Sequence, residues 1–575
     1  MKKTLSYLKS YKKECILAPL FKLLEACFEL FVPLVIADII DIGISGGNKG
    51  YVWGRVGILA LLAVCGLAFA ITAQYFAAKA AVGFASKLRH ALFTRIQSLS
   101  YADTDKLGTS TLITRMTADV EQVQQGVNMV LRLLLRSPFV VFGAAIMAFT
   151  VDAKSAVTFA VTIPVMSAAV MTIMLITIPL YKKVQAKLDS LLGITRENLS
   201  GVRVIRAFRK ENAEYERFVS TNGDLTRSQK FVGRISALLN PLTYVLINCG
   251  VIALIWVGAL RVNSGTISQG QVVALYNYMS QILVELVKLA MLIITLTRAV
   301  ACAKRVDGVL TTENSMTENG DKEQKHTVIG GDVEFDGVEL TYPEAGAPSL
   351  SGVNFYAPSG STVGVIGGTG SGKTSLVNLI PRFYDVTKGC VKVGETDVQK
   401  LDAETLRKNI GIVPQRAALF KGTIRSNLLW GKEDATDEEL WEALKTAQAE
   451  NVALDKGGLD AEVEQEGRNF SGGQRQRLTV ARALVRKPKI LILDDSASAL
   501  DLKTDAALRE AISKLDYKPT VFIVSQRAAA VMNAQLIVVL DEGAVVGMGT
   551  HDELMKTCPA YEEIYSSQFK KEADR

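Results

Sequence analysis

Six apolar stretches, each near or above the roughly 20 residues a helix needs to cross a bilayer, crowd into the first three hundred positions of this chain. They cover about 16–42, 54–80, 128–150, 155–181, 238–261 and 271–296. In lipid a backbone must satisfy its own hydrogen bonds, so such a segment can fold only as a bundle of spanning helices. The rest of the 575 residues has the mixed polarity of a soluble domain. It is the first part that lifts the apolar share to 49%.

An even number of spans returns the chain to the side on which it began. Lys2, Lys3, Lys9, Lys12 and Lys13 precede the first span, and Lys182, Lys183, Arg196, Arg203, Arg206, Arg209 and Lys210 follow the fourth. The opposite loops, GISGGNKGY, VDAK and RVNSGTISQG, are short and nearly uncharged. The positive-inside bias therefore places the N-terminus and the C-terminal domain in the cytoplasm, at the cell membrane. The net charge of +7 is largely this topology signal and gives no reason to expect nucleic acid as a partner. No small-residue cleavage site follows the charged start, so the first span reads as uncleaved. Seven scattered cysteines without a CxxC pair indicate neither a disulfide framework nor a zinc site.

Residues 1–310 thus read as an all-α polytopic membrane domain. Its two long polar segments, roughly 81–127 and 182–237, keep a helical period and should continue the membrane helices into the cytosol. Residues 311–331 are polar and aperiodic, as a linker would be. From 332 to 575 strands and helices alternate, the pattern of an α/β domain.

Two motifs in that domain carry chemistry. GGTGSGKT, comprising Gly367, Gly368, Thr369, Gly370, Ser371, Gly372, Lys373 and Thr374, follows the apolar strand TVGVI and precedes a helical run. This is the context in which a glycine-rich loop wraps its N–H groups around a nucleotide β-phosphate. Lys373 would reach the β/γ oxygens and the Thr374 hydroxyl would ligate magnesium. ILILDDSASALD, 490–501, is a strand ending in two carboxylates, of which Asp494 would hold the same ion. ATP and Mg2+ are the implied ligands.

Just upstream, NFSGGQRQRL resembles the LSGGQ signature of ABC ATPases, with Phe470 in the place of leucine. With GGTGSGKT, VPQ at 413–415, SALD at 498–501 and the preceding spans, essentially the entire chain is similar to an ABC exporter half-transporter. The resemblance implies a role for each matching residue. Tyr342 corresponds to the aromatic that stacks on adenine, and Gln415 to the glutamine that contacts magnesium and senses the membrane domain. Ser471, Gly472, Gly473 and Gln474 correspond to the signature that clamps ATP on an opposite subunit, and Asp501 to the aspartate that links the two sites. EQEG, 464–467, resembles a short element that touches intracellular loops, and segments near 103–115 and 208–216 resemble coupling helices that would dock near Gln415.

The pattern breaks at two catalytic positions. Where the family has the glutamate that polarises the attacking water, this chain has Asp495, one methylene shorter. Where it has a histidine near the γ-phosphate there is Gln526, whose amide carries no cationic charge. His90, His326 and His551 lie outside the motifs and read as structural or surface residues. Both changes fall in the site built on this chain's own loop, while the signature is intact. The expectation is a heterodimer with a second half-transporter, in which this chain's signature completes the partner's competent site. Amphipathic small molecules are the expected cargo; a homodimeric lipid or peptide exporter and a nucleotide-gated regulator or channel are the alternatives.

Charges within the spans mark a possible substrate path. Glu285 and Lys288, one turn apart, can neutralise each other, Glu25 and Glu29 face a cavity or the cytosolic interface, and Asp38 and Asp41 belong near the outer rim.

Overall fold

The computed structural model describes residues 2–316, 330–343 and 345–573. The chain divides into two compact units, one of residues 1–97 with 110–312, the other of 98–109 with 313–575. His326 and most of the expected linker lie outside the described residues.

The first unit is helical throughout. Among the described residues five helical segments are long and apolar enough to cross a membrane: Lys49–Ser98, Thr109–Val151, Ala153–Ser200, Glu211–Asn263 and Gln269–Thr311. The helix Lys12–Asp38, expected as the first of six spans, does not reach that standard. Lys22, Glu25 and Glu29 interrupt its apolar course. The expected helical extensions are present: Lys49–Ser98 has 50 residues, about 75 Å at 1.5 Å per residue, against a hydrocarbon layer of about 30 Å. Its buried face repeats at helical spacing through Ala73, Ala77, Ala81, Ala85, Leu88 and Leu92. Small side chains there let neighbouring helices approach closely.

Polar contacts pin the short-loop ends of these helices. Asp41 accepts from the backbone N–H of Gly270 at 2.7 Å and from the Ser268 hydroxyl, Asp38 pairs with Arg55 at 3.0 Å, and Asp152 pairs with Arg261 at 2.7 Å. Deeper in, the Tyr278 hydroxyl donates to the Leu30 carbonyl at 2.7 Å within a core of Phe159, Met166, Leu254, Leu275 and Ile282.

The described residues of the second unit form twelve strands: β1 Val333–Leu340, β2 Leu350–Ala357, β3 Thr362–Gly367, β4 Lys388–Val393, β5 Thr396–Asp397, β6 Ile410–Val413, β7 Gly422–Thr423, β8 Glu462–Val463, β9 Ile490–Asp494, β10 Thr520–Ser525, β11 Leu536–Asp541 and β12 Ala544–Gly549. The main sheet runs β12-β11-β3-β10-β9-β6, parallel from β11 to β6. Its central strands are apolar runs because both faces are covered, one by helices and the other by an antiparallel sheet together with the helix Lys373–Leu379. A second sheet, β2-β1-β4-β5, is antiparallel.

The short helix Tyr101–Leu107 belongs to this second unit, capped by Ser100 and ended by Gly108 at φ +75°. Tyr101 stacks on Phe383 with centroids 4.4 Å apart, and the Tyr384 hydroxyl donates to Asp105 at 2.7 Å. Of these residues Asp105 lies within the expected coupling segment 103–115, and its contact is with Tyr384. In the other expected coupling segment, Phe208 and Tyr215 are exposed.

Candidate nucleotide site

Four adjacent parallel strands, β3, β10, β9 and β6, end on the same edge of the main sheet. The register aligns Val524 with Asp494 and Val413 with Leu493, so the residues that follow each strand gather above that edge. After β3 comes the glycine loop, after β9 Asp495, after β6 Gln415 and after β10 Gln526. A cavity of about 460 Å³ opens there, lined by Thr369, Gly370, Gly372, Lys373, Thr374, Gln415, Asp494, Asp495 and Gln526 among others.

The loop needs its glycines. Gly372 caps the helix Lys373–Leu379 with φ +94°, and a Cβ there would lie 2.7 Å from the Ser349 carbonyl. Only glycine fits both the left-handed backbone and that approach. The buried Lys373 ammonium donates to the carbonyls of Gly367 at 2.9 Å and Gly368, and reaches Ser371 Oγ at 3.3 Å. Burial pulls its pKa below the usual lysine range, opposed by the Asp495 and Asp494 carboxylates.

Asp494 is 4% exposed, and its Oδ1 accepts from the Thr374 hydroxyl at 3.1 Å. Asp495 has φ +45°, a left-handed conformation in which aspartate is enriched among non-glycine residues, and its side chain is bonded by Gln415. Burial pushes both carboxyls above the usual range, while Thr374 on Asp494 and Gln415 on Asp495 pull the other way. Thr374, Asp494 and Gln415 offer oxygen donors alone, and such a set fits a hard divalent cation whose coordination is completed by water and phosphate. Among the described residues no three His, Cys, Asp or Glu side chains gather to hold a metal by themselves.

Gln526 is exposed at the cavity's rim, and its segment is fastened from an element the motifs do not include. Gln568, in the C-terminal helix Pro559–Ala573, donates to the Gln526 carbonyl at 2.8 Å and accepts from the Ala528 amide at 2.9 Å. Gln568→Ala should release both bonds, worth about 1 kcal/mol each, so the Ala528 amide should exchange its hydrogen about thirtyfold faster. Hydrogen exchange read by mass spectrometry checks this.

The remaining predicted residues lie elsewhere. Tyr342 is half-buried beyond the end of β1, edge-on to Tyr384 at 4.9 Å, with its hydroxyl donating to Ser375 at 2.9 Å. Asp501 caps the helix Leu502–Ser513 through the Thr504 amide at 2.9 Å. The signature does not reach the cavity. Ser471 caps the helix Gly472–Val485 in a reciprocal pair with Gln474, and both Ser471 and Gly472 are exposed. Gly473 packs so that a Cβ would meet the Ala499 carbonyl at 2.9 Å, and Phe470 is buried beneath the Lys456 ammonium. The EQEG element is a tight turn with Glu466 at φ +61°. Of the histidines, His90 is exposed and His551 bonds the Tyr561 hydroxyl at 2.9 Å.

Comparison with known proteins agrees with this geometry. Residues 15–286 match the family described as ABC transporter transmembrane region and residues 350–498 match the family described as ABC transporter. An uncharacterized ABC transporter ATP-binding protein of Bacillus subtilis (strain 168), YfiB, is 38% identical over 573 residues, covering 100% of this chain and 99% of its own. YgaD of the same organism, whose name assigns it to multidrug export as an ATP-binding/permease protein, is 30% identical over 580 residues and 99% of each chain. The solved structure of a bacterial Atm1-family ABC exporter with ATP bound shares the fold, with a TM-score of 0.81 at 22% identity over 97% of this chain and 98% of that one. A helical membrane domain joined to an α/β ATPase domain with these matches places the chain in the ABC transporter family, as a half-transporter of exporter fold.

Proposed function

We propose that this chain is the subunit with the weak ATP site in a heterodimeric exporter of amphipathic small molecules. Its six spans, with Lys12–Asp38 as the first, would sit in the cell membrane and both termini in the cytoplasm. The observation that carries the reading is the split between the two halves of its ATP machinery. The phosphate-loop cavity contains Asp495 and Gln526, whereas the SGGQ part of the signature lies apart from that cavity, with Ser471 and Gly472 exposed. A site needs both halves, so each would be completed by a second chain.

In this chain's own site, Lys373 and the loop amides would hold the nucleotide phosphates, and Tyr342 would flank the adenine. Thr374, Asp494 and Gln415 would hold magnesium, which neutralises charge on the phosphates when bound. Asp495 is set back by one methylene, and displacement of a reacting group by about 1 Å can lower a rate on the order of a hundredfold. Part of its acceptor capacity is already engaged by Gln415. Gln526 can donate a hydrogen bond but cannot supply a cation. Such a site would hold ATP and hydrolyse it slowly. In the partner's site, the Ser471 hydroxyl and the N–H groups opening the helix Gly472–Val485 would meet the γ-phosphate.

The test is purification of the tagged chain from its native membrane, followed by ATP-driven uptake of a fluorescent amphiphile into inside-out vesicles. A homologous second chain carrying glutamate and histidine at the two positions is expected, with uptake dependent on both chains. A homodimer that transports at full rate would overturn the asymmetric assignment.

A further inference from the structure

A second charged centre lies inside the membrane domain, remote in sequence from every nucleotide motif. Arg136, only 7% exposed, donates to Glu285 at 2.5 Å and to Glu29 at 2.6 Å, with Glu25 3.9 Å from its Nε. Ser137 and Lys288 add bonds to Glu285 at 2.7 and 2.8 Å, and Lys22 neutralises Glu25. Glu285 lies 16 positions beyond the start of the helix Gln269–Thr311, about 24 Å along it, a distance shorter than the roughly 30 Å thickness of a hydrocarbon layer.

Beside this network is a cavity of about 280 Å³ lined by Glu29, Asn277, Ser280, Gln281, Glu285 and Lys288, with an apolar wall from the helix Lys12–Asp38. Its two ends differ. At one end Glu29, whose side chain is 42% exposed, lies beside Gln281, whose Nε2 reaches the Glu29 carbonyl at 3.5 Å. The Gln281 Oε1 is buried without a hydrogen-bond partner among the described residues. Seven positions on, about 10 Å along the helix, Lys288 is held by Glu285. The lining carries two carboxylates and one ammonium, with the Arg136 guanidinium bonded to both carboxylates and balancing the second, and the polar capacity left unspent at the Glu29 end, the Gln281 Oε1, is for accepting hydrogen bonds. A buried acceptor left unmatched is costly, and a ligand N–H relieves it.

The geometry points to this cavity as a binding site for protonated amines on an apolar body, the ammonium held by Glu29 and Gln281 and the body against the apolar wall. This rests on the exporter reading, since it names the cargo class. Three probes of one shape separate the chemistry: 9-(aminomethyl)anthracene, 9-anthracenemethanol and 9-anthracenecarboxylate. Binding to the full transporter in nanodiscs of uncharged lipid, without ATP, is followed by fluorescence anisotropy. The amine should bind at least tenfold more tightly than the alcohol. Glu29→Gln should remove most of that preference and Gln281→Leu part of it, with alcohol binding retained as the sign of an intact fold. Equal binding of the three probes, a preference for the carboxylate, or an amine preference unchanged in both variants would each overturn the assignment. Failure of the exporter reading would show separately, as absence of ATP-driven flux for any amphiphile.

Discussion

Replacing Ser471 by arginine should lower the ATPase rate of the assembled transporter more than about a hundredfold, whereas Asp495→Ala should lower it less than about twofold. The two residues sit in different halves of the machinery. Ser471 is exposed at the N-terminus of a 14-residue helix, where its hydroxyl and the following amides are free to meet an anion from another chain. An arginine there destroys the reciprocal cap with Gln474 and fills the approach. Asp495 lines a cavity that has neither the longer carboxylate nor a histidine, so under the proposed asymmetric reading its loss should remove little hydrolysis. Steady-state phosphate release from the purified complex measures both. Comparable losses for the two variants would mean that the site on this chain's own loop does the hydrolysis, and the asymmetric reading would fail.

What could be read without coordinates was what lies close along the chain. A phosphate loop, a strand ending in aspartate and a signature are each local runs, so GGTGSGKT, ILILDD and FSGGQ stand out in the sequence, and the sheet places the first two beside one cavity. Contacts across long separations left no such trace. Gln568 reaches Gln526 across 42 positions and Tyr384 reaches Asp105 across 279, and nothing in either local sequence points to its partner. The membrane charges were legible only in part. Lys288 does bond Glu285 one turn away, yet the central cation is Arg136, 149 positions distant and within a stretch that reads as an ordinary span. The same charges explain why Lys12–Asp38 falls short of an apolar span. Glu25 and Glu29 lie within reach of Arg136, so the charges that lower the hydropathy of this helix have a partner inside the same unit.

Arg136→Ala should be the most destabilising single substitution in the membrane domain, costing about 3–5 kcal/mol because it strands buried carboxylates rather than removing a pair. Glu285 is 3% exposed and would keep only Lys288 and Ser137, while Glu29 would lose its guanidinium partner. The alternative account, that the network contributes through attraction between charges, differs in what it expects of a double replacement. If desolvation governs, Arg136→Leu with Glu285→Leu should recover much of the stability that Arg136→Ala loses, since a well-packed apolar pair avoids the cost of burying ions. If attraction governs, the double variant should be at least as unstable as the single one. Thermal unfolding of the purified transporter in one detergent, compared across wild type, single and double variants, separates them. Recovery in the double variant would also mean that the charges are kept for something other than stability, which is what a cavity that binds amines beside Glu29 requires.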